Sequence, residues 1–139
     1  LDLYTVYDGA EVTKCSLTNS DGTLKECSFY NNDALGSDDM YGVYPLSKAP
    51  RLSITTSLSS ERRLLVIGDS FVSCFIPFLT QHYSQIDVLY PEYIDGSLTD
   101  FADPAEYEQT LFMFGTDSLY GKSDLERTLS YLITQEESE

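Results

Sequence analysis

The sequence predicts an α/β fold, a short parallel sheet with crossover connections, preceded by a β-hairpin-rich N-terminal segment. Three observations predict it. The apolar run Leu64-Leu65-Val66-Ile67 has the character of a strand buried on both faces, and it leads through Gly68-Asp69-Ser70 into an apolar stretch at helical spacing. Two more apolar strands follow at intervals that suit crossover connections. Before residue 60 the pattern differs, with short alternating runs separated by turn signals.

In order along the chain, Leu3 to Tyr7, Val12 to Leu17 and Leu24 to Tyr30 alternate apolar and polar residues, with Asp8-Gly9 and Asp21-Gly22 as turns between them. Residues 31–40 read as a loop, and Leu52 to Thr56 as a further strand. Leu64–Ile67 comes next, then a helix on which Phe71, Phe75, Phe78 and Leu79 recur and which Pro77 kinks. Ile86 to Tyr90 is a second strand of this half, and Leu111 to Phe114 a third buried one, with a short helix between. Ser123-Asp124-Leu125-Glu126 forms a capping box, followed by Leu125, Leu129, Leu132 and Ile133 on one helical stripe. Residues 1–139 thus read as one domain, β-rich over 1–62 and α/β over 63–139, a length that suits a single core.

The charge is lopsided. Residues 1–62 carry five basic and nine acidic side chains, and residues 63–139 three and fourteen, for a net charge of −15. Such a surface repels phosphate backbones and anionic membranes, which argues against nucleic-acid binding. No apolar run is long enough to span a bilayer, and no secretory leader pattern is present, while a start at Leu1 suggests a trimmed product. The three cysteines follow no metal spacing, and no cofactor is implied. Cys15 and Cys27 flank the Asn19-Ser20-Asp21-Gly22 turn. A hairpin centred on Asp21 sets them opposite each other, and a two-residue Asp21-Gly22 loop sets them on opposite faces, so both a disulfide and two free thiols are open. Cys74 falls on an apolar helical face and reads as core.

In an open parallel sheet, ligands gather at the carboxyl ends of the strands. Gly68, Asp69 and Ser70 occupy that place. Gly68 allows a sharp turn, and Ser70 at a helix start stands beside backbone N–H groups able to stabilise an oxyanion. The same geometry serves an ordinary helix cap.

The surrounding residues sharpen this. Gly68-Asp69-Ser70-Phe71, Pro77-Phe78-Leu79, His82-Tyr83, Tyr90-Pro91-Glu92-Tyr93-Ile94 and, upstream, Asp39-Met40-Tyr41-Gly42-Val43-Tyr44 together resemble the DHHW family, extracytoplasmic relatives of the alginate O-acetyltransferase-type SGNH hydrolases. The resemblance runs from about residue 38 to residue 120. It implies an SGNH/flavodoxin-like three-layer fold, a serine esterase or acyltransferase scaffold with Ser70 in the nucleophile position, and an extracytoplasmic location.

The departures from that pattern matter as much. A serine nucleophile needs a base, and the base needs an orienting carboxylate. The chain lacks the Asp-His-His-Trp segment that names the family, and it has no tryptophan. Its one histidine, His82, lies twelve residues past Ser70, roughly 18 Å along a helix. Gly115 stands where the family places an oxyanion-donating Asn, and Glu92 where it places an Arg. Asp69 and Asp117 are the carboxylates near enough in the pattern to serve as substitute bases, and a carboxylate is a weak base for a hydroxyl at neutral pH.

Three readings result. The first is a non-catalytic or incomplete domain of this scaffold that binds polysaccharide or an envelope protein. The second is an active acyl esterase or O-acetyltransferase that takes its base from elsewhere. The third is a pure interaction module with Tyr4, Tyr7, Tyr30, Tyr41, Tyr44, Tyr90 and Tyr93 as stacking platforms.

Overall fold

The computed structural model describes residues 10–45 and 48–120. The strand at Leu3 to Tyr7, Tyr4 and Tyr7 as platforms, and the helix after Ser123 lie outside the described residues. Among the described residues six strands form one sheet: β1 (Val12–Thr18), β2 (Leu24–Glu26), β3 (Arg51–Thr56), β4 (Arg63–Gly68), β5 (Gln85–Leu89) and β6 (Gln109–Met113), in the order β2-β1-β3-β5-β4-β6. Strands β5, β4 and β6 are parallel, while β1 pairs antiparallel with β2 and β3, and β3 antiparallel with β5. The sheet is therefore mixed. The N-terminal strands do not precede a separate parallel sheet, because Arg51–Thr55 adds directly to Gln85–Leu89 and carries the hairpin with it.

Burial explains the sorting. From Leu64 to Gly68 every residue of β4 is buried, as the apolar run requires of a central strand. Its side chains alternate between two cores. Leu64 and Val66 pack with Leu52, Ile54, Ile86, Val88, Val72 and Ile76, whereas Leu65 and Ile67 pack with Leu89, Ile94, Leu98 and Ala102. Each such fully buried aliphatic side chain contributes about 1.5–3 kcal/mol. The first core lies under α1 (Val72–Leu79), and the second under the segment between β5 and β6. That segment is built of 3-10 turns at Pro91–Tyr93, Leu98–Asp100 and Pro104–Glu106 rather than one short helix. Layers on both faces of a sheet make this an α/β fold. None of the described helices is long and apolar enough to cross a membrane.

Three sequence expectations change. The stripe Phe71, Phe75 and Phe78 faces outward, with Phe71 55% and Phe78 53% exposed, and Val72, Ser73, Ile76 and Pro77 meet the sheet instead. Both stripes are apolar at helical spacing, so periodicity alone does not choose between them. Cys74 is accordingly half-buried rather than core, its Sγ 3.2 Å from the Phe71 carbonyl. Strand β6 lies at the sheet edge, with Phe112 exposed, and is not buried on both faces.

The hairpin register pairs Ser16 with Glu26, Leu17 with Lys25 and Thr18 with Leu24. The Cys27 amide donates to the Cys15 carbonyl at 3.0 Å, so the arrangement centred on Asp21 is the one formed. Gly22 takes φ +81°, and Asp21 Oδ1 accepts from both the amide and the hydroxyl of Thr23, which holds the Asp21 carboxyl below its ordinary pKa.

Candidate functional site

Strand β4 is followed in sequence by β5 on one side of it and β6 on the other. The point where the winding direction reverses opens a crevice at the carboxyl end of β4. Gly68, Asp69 and Ser70 stand there, and the turn after β6 comes up beside them.

Gly68 serves this meeting through its size. A Cβ at this position would lie 2.1 Å from the Met113 carbonyl oxygen and 2.4 Å from Val72 Cγ2. Its φ is not positive, so close approach of β4, β6 and α1 is the reason for glycine here, and a special turn conformation is not.

Asp69 is the organiser. Its Oδ1 accepts from the Phe71 amide at 3.0 Å, and its Oδ2 accepts from the Gly115 amide at 2.7 Å and the Ser118 hydroxyl at 2.6 Å. Its backbone carbonyl takes the Val72 amide. A carboxylate with three donors around it is an acceptor hub that fastens two turns together. Both of its oxygens are taken up by these donors. Gly115 is pressed under the Phe71 ring, where a Cβ would come within 2.6 Å of two ring carbons.

Ser70 is exposed, and among the described residues nothing hydrogen-bonds its hydroxyl. Four of the amides beside it are already engaged. The Phe71 and Val72 amides go to Asp69, the Ser73 amide goes to the Ser70 carbonyl at 3.2 Å, and the Gly115 amide goes to Asp69. Helix α1 begins at Val72, two residues beyond Ser70, so Ser70 is not itself its cap. In this arrangement the Phe71, Val72, Ser73 and Gly115 amides are engaged within the two turns.

Sequence reasoning missed the contacts that Tyr41 and Ser118 make with this turn. The Tyr41 hydroxyl donates to the Ser70 carbonyl at 3.0 Å, reaching across from a 3-10 turn at Met40–Val43. Burial of that hydroxyl, with the neighbouring Cys74 thiol adding to it, pushes its pKa up, so Tyr41 stays protonated and acts as a clamp rather than a base. The Asp39-Met40-Tyr41 stretch belongs to the family resemblance, but the contact of Tyr41 with the turn is tertiary and has no local signature. Ser118 sits on α2 (Thr116–Leu119), one residue from Asp117. Asp117 is exposed at the same end of the sheet as Ser70, as the spacing suggests. His82 lies past the far end of α1, its amide bonded to the Leu79 carbonyl, and the structure does not bring it to Ser70. Among the described residues no three His, Cys, Asp or Glu side chains gather as a metal site.

A second polar cluster lies on the face opposite α1. Asp87, fully buried in β5, accepts from Arg51 Nε at 3.1 Å and Nη2 at 2.9 Å, Gln85 Nε2 at 2.7 Å and the Tyr107 hydroxyl at 2.8 Å. Arg51 Nη1 also reaches the Phe101 carbonyl. With every group partnered, this network ties the 98–107 segment to the sheet.

No family model matches the chain, and no curated protein matches it. Solved structures do. A DHHW family protein from Eubacterium siraeum shares the fold at TM-score 0.67 and 19% identity, over 80% of this chain and 38% of its own. Bacillus cereus PatB1 matches at TM-score 0.63 and 19% identity, over 82% of this chain and 39% of its own, both alone and with a sulfonyl adduct. The chain thus spans about two fifths of the length of these structures. At this identity the likeness is one of fold.

Proposed function

We propose that this chain is a non-catalytic or incomplete SGNH/DHHW-like domain that acts outside the cytoplasm and binds envelope polysaccharide or an envelope protein. One observation carries the reading: Ser70 stands exposed at the switch point, while Asp69 is spent on Phe71, Gly115 and Ser118 and His82 lies beyond the other end of α1. The serine keeps its position, and among the described residues nothing hydrogen-bonds its hydroxyl, as a base would. The likeness to a DHHW family protein and to PatB1 supports the scaffold.

A sulfonyl fluoride tests the reading. Attack by a serine oxygen on the sulfonyl sulfur expels fluoride, and it is fast only when a base removes the hydroxyl proton. Intact-mass analysis after such treatment is expected to show no Ser70 adduct, and stoichiometric labelling that Ser70→Ala abolishes overturns the reading. Co-sedimentation with insoluble bacterial cell-wall polysaccharide tests the binding role: retention supports it, and a chain that stays in solution directs the search to protein partners.

Asp117 favours a second reading, an active serine acyl esterase or O-acetyltransferase. It is exposed on the turn fastened to Asp69, at the same end of the sheet as Ser70. In that reading Asp117, or a group from another polypeptide, acts as the base.

A further inference from the structure

The hairpin at the far edge of the sheet brings two cysteines together. The register that pairs Ser16 with Glu26 continues one step to Cys15 and Cys27, whose backbones are joined by the 3.0 Å Cys27 N–H to Cys15 carbonyl bond. Both side chains fall on the same face of the sheet, Cys15 buried in the α1-side core and Cys27 packed against it. Their sulfurs stand 2.7 Å apart, against about 2.05 Å for a covalent bond between sulfurs. Neither strand has to move by more than a fraction of an ångström to join them.

We propose that Cys15 and Cys27 are a redox modification site and form an intrachain disulfide between neighbouring strands. The chemistry requires an external disulfide, such as oxidised glutathione, as electron acceptor. Cys27 is the more exposed sulfur, so its thiolate meets the reagent first and displaces one glutathione thiolate, giving a mixed disulfide. Cys15 then attacks Cys27 Sγ and releases the second glutathione. Two thiol protons and two electrons leave the protein, and the reagent is reduced to two thiols. Burial pushes the Cys15 thiol up, which makes the second step the slower one. Cys74 has no such neighbour, its Sγ being turned to the Phe71 carbonyl, and it stays a thiol.

The bond closes a loop twelve positions long and fixes the strand end that leads to the Tyr41 turn. From Cys27 the chain runs to Asn31, whose amide donates to the Val43 carbonyl at 3.0 Å, two residues past Tyr41. Such a bond persists in an oxidising compartment, which fits a location outside the cytoplasm.

The test is a thiol count on the full chain after equilibration with oxidised glutathione, removal of the reagent and denaturation. One of the three cysteines is expected to react, rising to three after reduction, and a proteolytic map should join the Cys15 and Cys27 peptides. Cys74→Ser should then show no free thiol when oxidised and two when reduced. Three free thiols in the equilibrated protein, or Cys15 or Cys27 bonded to Cys74, would overturn the proposal.

Discussion

Asp69 and Gly115, forty-six positions apart, are joined by a 2.7 Å hydrogen bond from the Gly115 amide to Asp69 Oδ2. Through it the turn after β4 and the turn after β6 become one unit, with Ser118 as a second attachment and Ser70 on its rim. The carboxylate is consumed in building the place where Ser70 stands. It is not free to activate that serine.

Replacing this acceptor has a defined cost. Asp69→Asn keeps the shape but turns an amide donor toward one of three existing donors, at Phe71, Gly115 or Ser118. A loss of about 1–2 kcal/mol is expected, read as a lower urea midpoint at unchanged slope. Asp69→Ala, which leaves all three donors without a partner, should lose more.

Gly68→Ala tests the close approach of the two parallel strands. The new methyl would meet the Met113 carbonyl oxygen at 2.1 Å, a backbone atom that cannot swing aside without moving β6. Destabilisation of about 3 kcal/mol is expected from urea unfolding. A neutral substitution would show that β4 and β6 are less tightly apposed.

Much of the site's frame was legible in the sequence, and much of its wiring was not. Leu64–Ile67 is apolar without interruption, and only a central strand buries such a run, so β4 and the turn after it follow directly. Helix α1 offers two apolar stripes, and only packing reveals that Ile76 faces the sheet and Phe75 does not. Leu111-Phe112-Met113 has the composition of a central strand, yet among the described residues it pairs with β4 alone and lies at an edge. Asp69 with Ser118 and Tyr41 with Ser70 are contacts across 49 and 29 positions, and no local pattern encodes them.

The Asp87 network predicts a large response to a small change. Asp87→Ala removes the acceptor shared by Arg51, Gln85 and Tyr107 and leaves those donors facing apolar surroundings. Because Arg51 is itself a quarter exposed, part of its charge finds water, and a loss of about 3 kcal/mol is expected in urea unfolding.

Stability should also fall at alkaline pH. Burial pushes the Tyr90 hydroxyl up to about 12 from an ordinary 10.0. Below pH 10 both folded and unfolded states hold the proton, and this group contributes no pH dependence. Between pH 10 and about 12 the unfolded chain ionises first, so stability declines as pH rises, by about 2 kcal/mol in all for this residue. Denaturation followed by far-ultraviolet circular dichroism across that window should show the decline, and a Tyr90→Phe variant should show it less steeply.

The central claim is that Ser70 holds a nucleophile's position without a base, and hydrolysis of p-nitrophenyl acetate tests it most directly. Wild-type protein and Ser70→Ala, matched for folding by circular dichroism, are predicted to release p-nitrophenol at the same low rate. Turnover by the wild type that vanishes in Ser70→Ala would contradict the account, and would mean that a base reaches Ser70 after all.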